Sequence, residues 1–398
     1  MTSSKKTDNI KPQILVICNY YLPGYKRGGG LRTLVNMVER FSDRFDFRVI
    51  TRDHDGDKIS YDSVKVDDWN DVDGAQVFYL PQNKVTLSKL RELVLEVEPE
   101  TIYLNSVFST LTIFLLTLRK LKLIPQVNII IAPEGELSDG ALQLKARKKK
   151  LFVAFAKRTG LYRNIIWKTT AQLEEIETRR FEERGGNFFV APNIPSRQIL
   201  ANSQENFKPE KKIGEAKLIF LSRFMRKKNF KWLVENLDNI KGNLIIDIIG
   251  PIEDEEYWQE TEPLLKNLPA NIKVKYKGLL EYEKVMPKLS EYHFFILPTL
   301  GENFGHVFIE ALGAGCPLII SDRTPWLDLE EKQIGWDIAL EHPQRWQEIL
   351  NYCINMNETS YSKLSKNSRE FALQWLKNPE VEEDTLTVLK FSLNNSVS

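Results

Sequence analysis

A chain of 398 residues, 42% hydrophobic and 27% charged, exceeds what one hydrophobic core usually supports and points to two globular domains. Its 55 Lys+Arg against 54 Asp+Glu leave a net charge of +1, which excludes a global electrostatic fit to nucleic acid while permitting local basic patches. Three cysteines without paired spacing, Cys18, Cys316 and Cys353, exclude a disulfide framework and fit a reducing compartment.

Residues 1–12 are polar and lack the apolar stretch of a secretory signal. Residues 14–19 read as a buried strand. A loop with Gly24 and Gly28-Gly29-Gly30 follows, then a helix over 31–41, where Leu34, Val35, Met37, Val38 and Phe41 recur at helical spacing. Strands are expected at 47–51, 77–80, 101–104 and 128–132, with others at 164–167 and 188–190. The longest apolar run, 111–118, falls well short of the roughly 20 residues needed to cross a bilayer. Strands alternating with helices imply a parallel sheet covered on both faces. Pro192-Asn193-Ile194-Pro195 stops the pattern, and the polar stretch 196–215, with Pro209 and Gly214, reads as an interdomain linker. The alternation then restarts. Strands are expected at 218–221, 244–249, 273–276, 294–297 and 317–321, helices at 230–240, 283–291 and 306–314, and a terminal helix at 379–393.

Two segments of this second half carry chemistry. Strand 218–221 runs straight into Ser222-Arg223-Phe224-Met225-Arg226-Lys227-Lys228. Cations at the carboxyl end of a strand are placed to neutralise a diphosphate, Arg as a bidentate fork and Lys as a point charge. Arg223 and Lys228 are assigned that role; Arg226 and Lys227 are assigned to solvent. The segment 297–321 holds Glu302 in a Gly-flanked loop and Glu310 inside a helix. Val307, Phe308, Ile309, Ala311 and Leu312 surround Glu310, and a carboxylate buried among such residues needs a partner. Carboxylates accept hydrogen bonds from hydroxyls, and a helix N-terminus near Gly305 offers N–H groups to phosphate. Together these parts suit a phosphorylated polyhydroxyl ligand.

The same residues resemble glycosyltransferase family 4, whose members are retaining enzymes of the GT-B fold. The family's Glu-x7-Glu element is matched by Glu302 and Glu310, its Arg-x4-Lys element by Arg223 and Lys228, and its N-terminal Gly-rich loop by Gly28-Gly29-Gly30. The similarity covers most of the chain and is strongest over 218–322. It implies an α/β chain with two Rossmann-like doubly wound domains facing a central cleft. The acceptor-side domain would be 1–195, completed by a C-terminal helix 379–398. The linker would be 196–215 and the nucleotide-sugar domain 216–378.

The resemblance further implies a nucleoside-diphosphate sugar as donor and a glycan or lipid-linked acceptor, in cell-surface polysaccharide synthesis. Arg223, Lys228 and Glu302 would be catalytic, the two cations stabilising the leaving diphosphate and Glu302 holding sugar hydroxyls. Gly29, Gly30, Asn303, Phe304, Gly305 and Glu310 would bind donor, Glu310 through the ribose. The acceptor would attack on the face the diphosphate leaves, with no protein nucleophile, metal or cofactor required. Two departures stand out. None of His54, His293, His306 and His342 matches the His that many relatives carry in the N-terminal domain. Glu134, in Ala132-Pro-Glu-Gly, replaces an Arg of similar sequences. Asn105 and Glu134 are the acceptor-side candidates.

Other patterns carry less. Asp53-His54-Asp55-Gly56-Asp57 has the look of a metal-binding Asp-x-Asp but lacks calcium-loop spacing, and is read as a polar strand-end loop. Gly28-Gly29-Gly30 does not match the dinucleotide fingerprint, and there is no H-E-x-x-H or G-x-S-x-G. The basic, amphipathic stretch 145–158 suits the surface of an anionic membrane, so the expected location is cytoplasmic, at the inner membrane face. Two other functions share these features: a nucleotide-sugar epimerase of the same fold, and a non-catalytic sugar-nucleotide-binding subunit.

Overall fold

The computed structural model describes residues 11–26, 28–57, 59–143, 146–182, 185–201 and 208–395. Contacts divide the chain into two compact units, 1–24 with 33–192 and 383–398, and 25–32 with 193–382.

The first unit is built from β1 (Gln13–Ile17), α1 (Gly29–Phe41), β2 (Asp46–Arg52), β3 (Trp69–Val72), β4 (Ala75–Leu80), α2 (Leu87–Val97), β5 (Thr101–Leu104), α3 (Thr110–Lys120), β6 (Asn128–Ile131), α4 (Asp139–Gln143), α5 (Ala146–Thr159), β7 (Ile166–Thr169), α6 (Gln172–Phe181) and β8 (Asn187–Val190). Its sheet has the order β3-β4-β2-β1-β5-β6-β7-β8. The central strands are short and apolar because helices cover both faces; β5 and β7 are buried along their full length. One pairing departs from the expected parallel sheet: β3 runs antiparallel to β4. The cause is Asp73-Gly74, with φ of 42° and 88°, the left-handed pair that a two-residue hairpin turn requires. Helices α2 and α3 begin at Thr86 and Ser109, whose side chains accept the N–H groups of Lys89 and Thr112, a standard way to satisfy a helix's first donors.

Two boundaries differ from expectation. Helix α1 starts at Gly29, so Gly29 and Gly30 lie in its first turn rather than in a loop, and only Gly28 takes a positive φ, 67°. The strand expected at 164–167 sits two residues later, at Ile166–Thr169.

The second unit contains α7 (Gln198–Ala201), β9 (Glu215–Leu221), α8 (Phe230–Glu235), β10 (Asn243–Ile249), α9 (Glu255–Lys266), β11 (Ile272–Tyr276), α10 (Val285–Ser290), β12 (Phe294–Leu297), α11 (His306–Gly313), β13 (Leu318–Ser321), β14 (Gly335–Ile338), α12 (Pro343–Asn355) and α13 (Glu358–Lys377). Its six strands pair in parallel in the order β11-β10-β9-β12-β13-β14. The helix expected over 230–240 ends at Glu235. Asn236, Asp238 and Asn239 disfavour its continuation because their side chains compete for backbone groups, while Leu237 and Ile240 still enter the core. Strand β14 and helices α12 and α13 were not anticipated; β14 holds four residues, too few to show a periodicity.

The described part of 196–215 is not a free tether. Ser196 and Ile199 are buried. Lys208 Nζ donates to the carbonyls of Leu289 and Tyr292 at 3.2 and 2.9 Å, and burial pulls its pKa down to about 8. Lys211 Nζ reaches the carbonyls of Ile354 and Met356. Both ammonium groups tie the segment into the second unit. The last helix, α14 (Pro379–Asn394), ends in the first unit, where Asn128 Nδ2 donates to Ser392 O at 2.7 Å and Phe391 packs on Phe189 with ring centroids 5.0 Å apart. Cys18, Cys316 and Cys353 are free thiols in the cores.

Candidate active site

In the second unit the strand order reverses between β9 and β12, the position where open α/β sheets bind ligands at strand carboxyl ends. Phe294 and Phe295 of β12 pair with Leu218 and Ile219 of β9, so the loops leaving the two strands abut. The carbonyl of Lys227 accepts the Leu300 N–H at 2.8 Å and the Thr299 hydroxyl at 3.1 Å. Ser321 Oγ donates to Thr299 O at 2.6 Å, and Glu302 N–H to Arg323 O at 3.0 Å. Both loops are thereby held against the sheet.

This frame brings Lys228 Nζ onto the Glu302 carboxylate. Both side chains are largely buried, at 11% and 14% exposure. Burial pulls the Lys228 ammonium well below its ordinary pKa, and the charges of Arg223 and Lys227 add to that. The Glu253 carboxylate opposes the shift. Arg223, on the same turn, pairs with Glu253 at 2.6 Å. Arg226 is held at the periphery by Glu260 and by Asp254 at 3.5 Å.

Glu310 lies in the interior of α11 and is 6% exposed. Tyr282 Oη donates to its Oε1 at 3.0 Å, and the Arg32 guanidinium stacks on the Tyr282 ring, 3.3 Å from its centroid. Burial raises the Glu310 carboxyl from 4.5 to about 7, against the opposing effects of the Tyr282 hydrogen bond and the Arg32 charge. Neither Tyr282 nor Arg32 is signalled by a local pattern: Tyr282 is 28 residues from Glu310, and Arg32 merely follows the glycines.

The turn into α11 depends on Gly305, at φ 79°. A Cβ there would also approach the Phe308 ring to 2.5 Å. Gly305→Ala is therefore expected to destabilise the protein by about 1–3 kcal/mol, seen as a lower midpoint in urea unfolding. Asn303 shares this loop. Phe304 is 5% exposed; its ring packs on His306 and Trp326, and its carbonyl accepts Trp326 Nε1–H at 2.6 Å, so that carbonyl serves the fold. Gly28 and Gly29 group with this unit. A Cβ on each would lie 3.9 Å from Arg223 Nε and 3.8 Å from His306 Cδ2, which sets Gly29 and neighbouring Gly30 at the site's edge. His306, at the first turn of α11, was passed over in the sequence because it matches no family histidine.

The acceptor-side candidates lie in the first unit. Asn105 N–H donates to Ile17 O at 3.2 Å, which places it where β1 and β5 adjoin. Glu134 has φ 51° and accepts from Thr33 Oγ1 at 3.4 Å. Neighbouring Glu136 instead takes the N–H groups of Val107 and Phe108 at 2.7 and 3.1 Å. Lys168, missed by sequence reasoning because it sits in an apolar strand, is buried; burial lowers its pKa while Glu134 and Glu174 oppose that. Among the described residues no group of three or more His, Cys, Asp or Glu is placed to share a metal ion. None of their helices is long and apolar enough to cross a membrane.

Two doubly wound units with this site define the GT-B fold, shared across nearly the whole chain with solved glycosyltransferases. Sucrose-phosphate synthase from Thermosynechococcus elongatus matches with a TM-score of 0.67 at 18% identity, over 96% of this chain and 98% of that one. HepE of Anabaena, solved with UDP-glucose, matches at 0.63 and 16% identity, over 95% and 98%. WaaG, a glycosyltransferase involved in lipopolysaccharide biosynthesis, matches at 0.62 and 13% identity, over 94% and 99%. In sequence, residues 202–371, the segment that bears Arg223, Lys228, Glu302 and Glu310, match the family described as Glycosyl transferases group 1. No curated protein matches the chain.

Proposed function

We propose that the chain is a retaining glycosyltransferase of family 4 that moves a sugar from a nucleoside-diphosphate donor to a glycan or lipid-linked acceptor, in cell-surface polysaccharide synthesis. The observation that carries this reading is the buried Lys228–Glu302 contact at the β9/β12 carboxyl ends, one helix away from the buried Glu310. Lys228 and Arg223 stabilise the charge that develops on the departing diphosphate, an interaction stronger in the transition state than in the bound donor. Glu302 accepts from Lys228 Nζ and from the sugar hydroxyls. Glu310 accepts from the ribose diol. Two side-chain cations supply the positive charge, so the reaction requires neither a metal nor another cofactor.

The protein acts in the cytoplasm, at the inner membrane face, through the stretch 145–158. Lys145 and the side chains of 146–148 and 150 lie outside the described residues. Leu151 and Phe155 are 75% and 60% exposed on one side of α5, which supports an apolar contact. Lys149 and Lys157 turn back to the carbonyls of Ala141 and Arg180, leaving Arg158 nearer that face.

A thermal-shift series with UDP-glucose, UDP-galactose, GDP-mannose and the free diphosphates tests donor use, since a specific ligand raises apparent stability by mass action. The expected result is a raised Tm with one donor class, followed by transfer in which NMR shows the donor's anomeric configuration in the product. Inversion would overturn the mechanism. A sugar nucleotide that changes configuration without acceptor would identify an epimerase, and donor binding without any turnover a non-catalytic subunit.

A further inference from the structure

Two residues beside Glu310 have no part in the donor chemistry set out above. A glutamate side chain is long and rotamer-rich, so keeping its carboxylate in one orientation costs conformational entropy unless something holds it. Tyr282, in the turn that leads into α10, supplies the hold. Its hydroxyl donates to Glu310 Oε1 at 3.0 Å. Burial, together with the Glu310 charge, pushes this phenol well above its ordinary pKa, so it stays a donor. Each carboxylate oxygen can accept more than one hydrogen bond, so the contact fixes Glu310 without exhausting its capacity for hydroxyls.

Tyr282 is itself held. The Arg32 guanidinium lies 3.3 Å from its ring centroid, and Arg32 is only 9% exposed; shielding from water strengthens such a contact. Ser196, also buried, hydrogen-bonds the Tyr282 hydroxyl. Residues 25–32 group with the second unit, so Arg32, Tyr282 and Glu310 belong to one compact body. Burial is the largest influence on the Glu310 carboxyl and favours its neutral form, while the Tyr282 hydrogen bond and the Arg32 charge favour the carboxylate. Helix α11 packs on α7, α10, α13 and β13. Of these, α7 and β13 carry no titratable side chain. Lys288 of α10 pairs with Glu291 at 2.9 Å. Arg369 of α13 and Lys208 meet the far end of α11, at Gly315. On α11 itself the other titratable group is His306, in the first turn.

We propose that Tyr282 and Arg32 are positioning residues for the donor: Tyr282 holds the Glu310 carboxylate in place for the ribose hydroxyls, and Arg32 acts through the Tyr282 ring. This role rests on the reading of Glu310 as the ribose-binding group. Calorimetric titration of the full chain with UDP, GDP and ADP across neutral and alkaline pH tests it. Tyr282→Phe keeps the ring under Arg32 and removes the hydroxyl. It is expected to weaken binding of the preferred diphosphate about fivefold at pH 7 and to regain most of that loss near pH 9, because losing the donor moves Glu310 ionisation to higher pH. Arg32→Leu should move the profile in the same direction, and Arg32→Lys, which keeps the charge, should recover part of it. A loss of equal size at every pH in both Tyr282→Phe and Arg32→Leu, the mark of a merely structural role, would overturn the proposal. So would unaltered binding by Tyr282→Phe alongside weak binding by Glu310→Gln, a result that leaves the ribose reading standing. Full binding by Glu310→Gln, or no binding of any of the three diphosphates, would instead overturn the ribose reading, and this role with it. If Arg32→Leu does not fold, the profile of Tyr282→Phe decides.

Discussion

Replacing Lys228 with alanine is expected to lower sugar transfer by about 10²–10³-fold, the usual cost of removing one preorganised donor to a developing charge. The loss should fall mainly on kcat, because Lys228 acts on charge that grows as the glycosidic bond breaks. Stability should fall as well, because the largely buried Glu302 carboxylate loses the ammonium it touches. Burial pulls the pKa of that ammonium far down, so the pair as a whole is costly to desolvate. Lys228→Met alone should therefore lower Tm while losing activity, and Lys228→Met with Glu302→Leu should recover Tm without recovering activity. A double-mutant cycle with Glu302→Ala should show the two losses to be non-additive, since the groups touch. Turnover at the unaltered rate in Lys228→Ala would remove this residue from the catalytic machinery.

Glu310→Gln is expected to separate stability from binding. The Glu310 carboxyl rises from 4.5 to about 7 on folding, chiefly through burial. The folded state therefore holds the proton more tightly than the unfolded chain. Below pH 4.5 both forms are protonated and burial carries no charge penalty. Between 4.5 and about 7 the unfolded chain ionises first, so stability falls as pH rises, by roughly 3 kcal/mol once pH exceeds 7. Glutamine never ionises. Glu310→Gln should match the unaltered protein in Tm at pH 4 and exceed it by several degrees at pH 8. Donor affinity should respond in the opposite sense. A carboxylate accepts from both ribose hydroxyls, so nucleotide binding should weaken below about pH 7 and be weak in the Gln variant throughout. A Gln variant less stable at pH 8 would mean that the buried charge is compensated rather than penalised.

The alternation of apolar runs with helical periodicity was enough to name the α/β class, because buried parallel strands leave compact Val/Ile/Leu segments such as Ile129-Ile130-Ile131. It failed where a residue's structural role is not periodic. The antiparallel edge of the first sheet rests on a single Asp73-Gly74 turn, and β14 is too short to leave a pattern. The polar composition of 196–215 reads as a tether, yet Lys208 and Lys211 bury their ammonium groups on backbone carbonyls, which composition does not reveal.

Taken alone, the sequence determined the fold class and the residue types of the donor segment, since a strand-end Arg/Lys turn and a Glu-x7-Glu spacing are local features. Tertiary structure decided which groups meet. Lys228 reaches Glu302 because β9 and β12 are neighbours in the sheet, and Glu310 is raised toward neutrality because burial in the core outweighs the Tyr282 hydrogen bond and the Arg32 charge. Each of these joins residues distant in the chain, and contact and desolvation, unlike helical or strand periodicity, leave no regular trace in the order of amino acids.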